Sequence, residues 1–154
     1  MTGARLVLTS ALHSQLSREV EASGVEECCG LIVGRADRSA ASGPNGDRVA
    51  TRLLPATNVS RRDRRHHYRI HPTAVLDALG EARLRGEALL GFYHSHPSGG
   101  SSPSAVDRAS AWTGFVYLIV GEDQPLDLAA WLFSGGAEEP VEIAVTSSLE
   151  GQAA

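Results

Sequence analysis

The segment from His94 to Asp107, HSHPSGGSSPSAVD, constrains the fold of this chain more than any other feature. It follows an apolar run, Leu89 to Tyr93, which predicts a buried strand. His94 and His96 lie two residues apart, so on a strand their side chains project from the same face. Ser102-Pro103 predicts a helix start, with serine as N-cap and proline at the first helical position. The segment therefore places a strand end beside a helix start.

Ser104 and Asp107 lie three residues apart and share one face of that predicted helix. Two imidazoles and one carboxylate are the protein ligands of a catalytic zinc site, which keeps its fourth position for water. We therefore expect His94, His96 and Asp107 to bind Zn²⁺. Ser-x-x-Asp is also a capping-box pattern, so Ser104 and Asp107 alternatively serve only the helix. That alternative leaves both histidines unexplained.

The spacing of these residues, His-x-His, seven residues, Ser, two residues, Asp, resembles the zinc motif of the JAMM (MPN+) metallopeptidase family, in particular its short prokaryotic members. The family carries an upstream glutamate in a Glu-x-x-Gly setting, and Glu27-Cys28-Cys29-Gly30 matches it. The resemblance implies that Glu27 exchanges protons with the attacking water and that Ser104 donates a hydrogen bond to the oxyanion. It also implies a substrate, a ubiquitin-like or sulfur-carrier protein, cleaved after its C-terminal Gly-Gly at a peptide or isopeptide bond. Glu26 replaces Glu27 if the strand register slips by one residue.

Two other functions stay open at this point. A non-catalytic MPN-type interaction module has the same fold, but such modules usually lack the zinc ligands. A RadC-like domain has a similar His-x-His-Pro-Ser-Gly sequence, although we find no separate DNA-binding region upstream of it. A zinc deaminase would need His-x-Glu followed by Pro-Cys-x-x-Cys, and the sequence contains neither motif.

The order of apolar runs predicts an α/β fold. Helices capped by Thr9 and opened by Pro72 and by Ser102-Pro103 alternate with strands at 5–8, 29–33, 48–56, 89–93, 115–120, 127–133 and 141–145. This pattern predicts a three-layer α-β-α sandwich around a mixed, curved sheet, an architecture similar to the JAMM/MPN fold and to that of cytidine deaminases. We expect one domain over residues 1–146 and a flexible tail over 147–154.

Composition narrows the choice of partners. The 154 residues carry a net charge of −4, which gives no overall attraction to nucleic acid or to an anionic membrane. The longest apolar runs fall short of the roughly 20 residues needed to span a bilayer, and the amino terminus does not resemble a signal peptide. We therefore expect a cytoplasmic protein with no nucleic-acid or membrane partner, and the sequence leaves its oligomeric state open.

Three further segments carry reactive or charged residues. The adjacent Cys28 and Cys29 predict two free thiols in a strand core, with a cysteine nucleophile as the alternative. The run from Arg35 to Gly46 predicts a surface loop. The segment from Asn58 to Arg69 surrounds His66-His67, which lack a third metal ligand, with five arginines: Arg61, Arg62, Arg64, Arg65 and Arg69. This segment is either a solvated loop or a docking site for an acidic partner.

Overall fold

The segments 29–33, 89–93 and 116–120 are near-continuous apolar runs, which is typical of strands that are covered on both faces. A computed structural model of the protein describes residues 3–36, 46–123, 126–134 and 137–148. The elements in chain order are β1 (Arg5–Thr9), α1 (Ser10–Ser23), β2 (Cys29–Ala36), β3 (Arg48–Ala56), α2 (Pro72–Leu84), β4 (Ala88–Ser95), α3 (Ala105–Ser110), β5 (Val116–Val120), β6 (Leu128–Ser134) and β7 (Ala137–Thr146). None of the described helices is long and apolar enough to cross a membrane.

In the described ranges, the strands form one mixed sheet in the order β1-β3-β2-β4-β5-β6-β7, and this sheet closes into a barrel. β1 pairs in parallel with both β3 and β7, and β4 pairs in parallel with β5. The other neighbours are antiparallel. The closing pair joins Arg5 to Glu142 at one end and Thr9 to Thr146 at the other. A mixed, curved sheet is therefore confirmed, whereas the predicted three-layer sandwich is not, because β1 joins the two ends of the sheet.

The two longer helices pack on opposite faces of β2. Leu16 of α1 belongs to a buried cluster that includes Ile32. Ala78 and Ala82 of α2 belong to a second cluster, which includes Leu31 and Val33 of the same strand. Because neighbouring residues of a strand point to opposite faces, β2 is covered by a helix-containing cluster on each side. The continuous apolar sequence of β2 follows from this arrangement.

A close approach between β4 and β5 sets the position of the strand that carries the histidines. Gly91 pairs with Val116, and a Cβ atom added to Gly91 would lie 1.9 Å from the Val116 carbonyl oxygen. Only glycine allows the two backbones to come this near. The same register places His94 beside Ile119.

Most predicted boundaries agree with the structure to within a few residues. The Thr9 hydroxyl accepts a hydrogen bond from the Leu12 N–H at 3.1 Å and caps α1, and Pro72 opens α2. The last strand is longer than predicted. Parts of two predicted features, the loop at 35–46 and the tail at 147–154, lie outside the described residues. The predicted start of α3 is wrong, as described with the site below.

Candidate metal centre

The two histidines lie at the end of β4. Nε2 of His94 is 3.2 Å from Nε2 of His96, so the rings project from the same face, as the spacing predicts. His94 is fully buried, and the His96 side chain is 13% exposed. The backbone N–H of His96 donates a hydrogen bond to the Val120 carbonyl at 2.7 Å, which ties the second histidine to β5. The pair is therefore held on both sides by strand contacts.

Asp107 faces both histidines from the first turn of α3. Its Oδ1 lies 3.2 Å from Nε2 of His94, and its Oδ2 lies 3.1 Å from Nε2 of His96. Oδ2 also accepts a hydrogen bond from the Ser104 N–H at 2.9 Å. The three predicted ligands therefore come together in space.

The structure corrects the predicted helix start. α3 begins at Ala105 with Ser104 as its N-cap, and Ser102-Pro103 lies before it. The Ser104 hydroxyl accepts a hydrogen bond from the Asp107 N–H at 3.0 Å, which completes a capping box with the reverse bond to the Asp107 carboxylate. The helix is therefore set by the reciprocal serine–aspartate pair and not by the proline.

Glu27 lies just before β2, beside the histidines, and is 5% exposed. One donor atom each from Glu27, His94 and His96 lie within 4.8 Å of one another. The backbone of Glu27 is held on both sides, since its N–H donates to the Arg64 carbonyl at 2.8 Å and its carbonyl accepts from the Asn58 amide at 3.1 Å. Glu26, the alternative, instead pairs with Arg64 at the surface.

Burial and mutual contacts set the protonation of the cluster. The pKa of Glu27 is raised to about 7, chiefly by burial, with His96 lowering it and Asp107 raising it through charge. Burial alone would raise the pKa of Asp107, but its contacts with the His94 and His96 imidazoles hold it well below its usual range. Burial lowers the pKa of His94. The cluster therefore holds an ionised carboxylate, a neutral imidazole and a carboxyl group that exchanges its proton near neutral pH.

A family model described as prokaryotic homologs of the JAB domain matches residues 9–134. The chain belongs to this family. A desampylase from Haloferax volcanii is 34% identical over 136 residues, 85% of this chain and 91% of that protein. A "Probable TtuB-protein conjugate cleaving protease" from Thermus thermophilus is 36% identical over 93 residues, 60% of each chain.

Solved structures agree with the assignment to the prokaryotic JAB family. A protein from Desulfitobacterium hafniense, solved in solution, has a TM-score of 0.81 and 27% identity, and the match covers 95% of this chain and 96% of that one. A JAB1/MPN domain protein from Archaeoglobus fulgidus has a TM-score of 0.55 over 92% of this chain and 98% of that one, at 18% identity. The fold is therefore that of JAB/MPN proteins.

The donor set of this JAB domain fits a zinc ion. In a tetrahedral site with bonds of about 2.0–2.1 Å, the ligand atoms lie about 3.3 Å apart. The separations among the two Nε2 atoms and the nearest Asp107 oxygens are 3.1–3.2 Å. Nδ1 of His96 lies 2.7 Å from the Gly100 carbonyl, a contact that places its proton on Nδ1 and leaves Nε2 free to bind.

The JAB domain also uses two residues at this site that the sequence analysis did not identify. The Tyr68 ring stacks on His94 with centroids 4.4 Å apart. The Asn58 amide donates to the Glu27 and His67 carbonyls, and its oxygen accepts from the N–H groups of Ser60 and Arg69. Both residues lie in an irregular segment, where no periodicity marks them.

The cysteines lie near the site but not in its donor set. Cys29 is buried, Cys28 is partly buried, and both are free thiols, as predicted. Burial raises the pKa of Cys28 and raises that of Cys29 to about 12. Because the thiolate is the reactive form, neither residue is suited to be a nucleophile at neutral pH. The Ser95 hydroxyl, between the two histidines, accepts from the Cys28 N–H at 2.9 Å and so ties β4 to the segment that carries Glu27.

A cavity of about 490 Å³ opens beside the cluster. Glu27 and Asp107 contribute to its lining, which connects it to the candidate metal centre. The remainder of the lining comes from the segment 60–70 and from residues of α2, β4, α3 and the chain that follows α3, among them Trp112. A substrate chain can therefore reach the cluster through this cavity.

Proposed function

We propose that this JAB domain is a zinc-dependent metallopeptidase that hydrolyses a peptide or isopeptide bond after the C-terminal Gly-Gly of a ubiquitin-like or sulfur-carrier protein. One observation carries the proposal. Two ring nitrogens and a carboxylate meet at the spacing of zinc ligands, beside a second, buried carboxyl group. The proposal is supported by a relative of this chain whose name describes it as a conjugate-cleaving protease.

His94, His96 and Asp107 would hold the ion. When bound, zinc supplies Lewis acidity, which lowers the pKa of a water toward about 7 and polarises a carbonyl group. Asp107 is a better third ligand than Glu27, because its oxygens lie 3.1–3.2 Å from the two ring nitrogens. Donor atoms of Glu27 and the two histidines lie within 4.8 Å of one another, a looser grouping. Glu27 is therefore left free for proton transfer.

Glu27 carries the proton in this mechanism. With its pKa raised to about 7, its carboxylate can take a proton from the attacking water and then return it to the departing amine. The hydrogen bonds from its backbone to Arg64 and Asn58 hold it at the edge of the site. A fixed carboxyl group of this pKa is suited to work in both directions at neutral pH.

Ser104 provides the donor for the oxyanion. Its oxygen already accepts from the Asp107 N–H, and among the described residues its hydroxyl proton has no acceptor. That proton is available to the carbonyl oxygen of a substrate as negative charge develops on it. Loss of one such donor typically reduces kcat by about a hundredfold to a thousandfold.

Metal analysis and two variants test the proposal. Protein purified without chelator should contain one zinc ion per chain, and His96→Ala should lose it. Glu27→Gln should retain zinc but lose about a hundredfold to ten-thousandfold in kcat on a ubiquitin-like protein extended past Gly-Gly. Glu26→Gln and His13→Ala are matched controls away from the donor set and should behave as the unmodified protein.

The same measurements separate the enzyme from a non-catalytic interaction module. A module would bind the ubiquitin-like protein without cleaving it, and no substitution would change the amount of product. Zinc retained in His96→Ala, or cleavage unchanged in Glu27→Gln, would contradict the proposal.

A further inference from the structure

The irregular segment 58–70, here named the arginine loop, is anchored to the candidate metal centre at several points. The Asn58 side chain makes four hydrogen bonds: one to the Glu27 carbonyl and three to backbone groups near the two ends of the loop. The Val59 N–H also donates to the Arg69 carbonyl at 2.9 Å, and Tyr68 stacks on His94. The loop is therefore a fixed wall of the cavity.

The arginines of this loop fall into two sets. Arg64 pairs with Glu26 at 3.3 Å, and Arg65 pairs with Asp63 at 3.0 Å, so these two have acidic partners within the chain. The other three line the cavity, are exposed, and form no salt bridge with any described residue: Arg61, Arg62 and Arg69. Three guanidinium groups without a salt-bridge partner among the described residues thus line the cavity in a chain of net charge −4.

The cavity is also lined by apolar side chains, two of which are exposed. Trp112 is 54% exposed and Val106 is 37% exposed, and both line the cavity. Ile70, Val75 and Phe92 contribute further apolar surface to the lining. Exposed aromatic and aliphatic side chains beside arginines are typical of protein-binding surfaces.

The charged side chains that line the cavity differ in burial. The three arginines are exposed, whereas Glu27 is buried and the Asp107 side chain is 8% exposed. A bound chain therefore meets the positive charge of the arginines before it reaches the candidate metal centre, where a zinc ion would offset the charge of the carboxylates. A segment with acidic residues at its outer end and uncharged glycines at its inner end matches this order.

We infer that the cavity binds the segment of the ubiquitin-like or sulfur-carrier protein, here called the modifier, that directly precedes its C-terminal Gly-Gly. Arg61, Arg62 and Arg69 then select modifiers in which this segment is acidic and carries apolar side chains. The identity of the occupant as the modifier rests on the proposed function.

Peptide binding tests the inference without requiring cleavage. The first probe is a fluorescein-labelled peptide of alternating glutamate and leucine that ends in Gly-Gly, and the second has glutamine in place of each glutamate. Fluorescence anisotropy should give about tenfold tighter binding of the glutamate peptide at about 50 mM salt, since three exposed ion pairs contribute modestly each. The preference should shrink at high salt.

Variants assign the preference to the three arginines. The triple variant Arg61→Gln, Arg62→Gln, Arg69→Gln should bind both peptides equally, with the glutamine peptide unaffected. The double variant Arg18→Gln, Arg83→Gln removes exposed arginines of α1 and α2 that do not line the cavity, and it should keep the full preference. Thermal melting should show that the triple variant is folded, and the single variant Arg62→Glu should weaken binding of the glutamate peptide by itself.

Several results would overturn the inference. The unmodified protein would bind both peptides equally, or the triple variant would keep the preference for the glutamate peptide. A peptide with its glutamates after Gly-Gly would bind more tightly than the one with glutamates before it, or a single-stranded oligonucleotide would bind more tightly than the glutamate peptide. Hydrolysis is scored separately. Selective binding without cleavage counts against the proposed function alone, whereas cleavage without charge selection counts against this inference alone.

Discussion

Replacement of Ser104 separates helix capping from catalysis. The hydroxyl oxygen accepts a hydrogen bond from the Asp107 N–H at 3.0 Å, and its proton is the proposed oxyanion donor. Alanine removes both contributions and should lower the free energy of unfolding by about 1 kcal/mol, the usual effect of losing an N-cap side chain. Glycine also lacks the hydroxyl group but costs only a few tenths of a kcal/mol at an N-cap. Threonine keeps both the acceptor and the donor.

The two roles predict different orders of activity among these variants. If the hydroxyl is the oxyanion donor, Ser104→Ala and Ser104→Gly should both lose about a hundredfold to a thousandfold in kcat, although their stabilities differ. Ser104→Thr should stay within about tenfold of the unmodified protein. Urea unfolding, zinc content and kcat on a ubiquitin-like protein extended past Gly-Gly provide the three measurements. A glycine variant with near-normal kcat would refute the catalytic role and leave only the cap.

Three further predictions follow from the fold and its buried groups. Gly91→Ala places a Cβ 1.9 Å from a backbone oxygen and should cost about 3 kcal/mol or more by thermal or urea unfolding, whereas Gly80→Ala, with open space on α2, should stabilise by about 1 kcal/mol. Because the pKa of Cys29 is raised to about 12, alkylation of Cys29 in the native protein should be slow at pH 8, become faster as the pH rises and become fast on unfolding, as mass spectrometry would show. The double variant Cys28→Ser, Cys29→Ser should keep the kcat of the unmodified protein. Asn58→Asp replaces the donor to the Glu27 carbonyl with an acceptor and should lower kcat about tenfold while zinc content stays unchanged, as metal analysis and kinetics would show.

The candidate ligands could be predicted from sequence because their placement is local. Two histidines two apart on a strand must share a face. Glu27 was assigned by the resemblance of Glu27-Cys28-Cys29-Gly30 to the family's Glu-x-x-Gly pattern, and the structure places it just before β2, which pairs with β4. The residues that hold the cluster could not be predicted in this way. The contacts of Asn58 with Glu27 and of Tyr68 with His94 join residues 31 and 26 positions apart through an irregular loop. No repeating pattern records such contacts.

The closure of the sheet was missed for a related reason. β1 and β7 lie at opposite ends of the described chain and pair in parallel, so no turn sequence connects them and signals their register. Antiparallel neighbours such as β5 and β6 are joined by a short connection, and the strands themselves were predicted. Sequence periodicity therefore indicated which segments are strands, but the closing pair depends on contacts that only the folded chain provides.

The capping box of α3 explains both why its start was predicted wrongly and how Asp107 can serve the helix cap and still act as a metal ligand. Ser102-Pro103 is a good local start signal, but three residues after Ser102 stands Ala105, which cannot return a hydrogen bond to the cap. Ser104 has Asp107 in that position, and the reciprocal bonds favour the later start. Asp107 then uses only Oδ2 for the cap, whereas Oδ1 and Oδ2 each face a histidine. The capping box and the proposed ligand role are therefore compatible, because the same bonds that begin the helix also orient the carboxylate toward the two imidazoles.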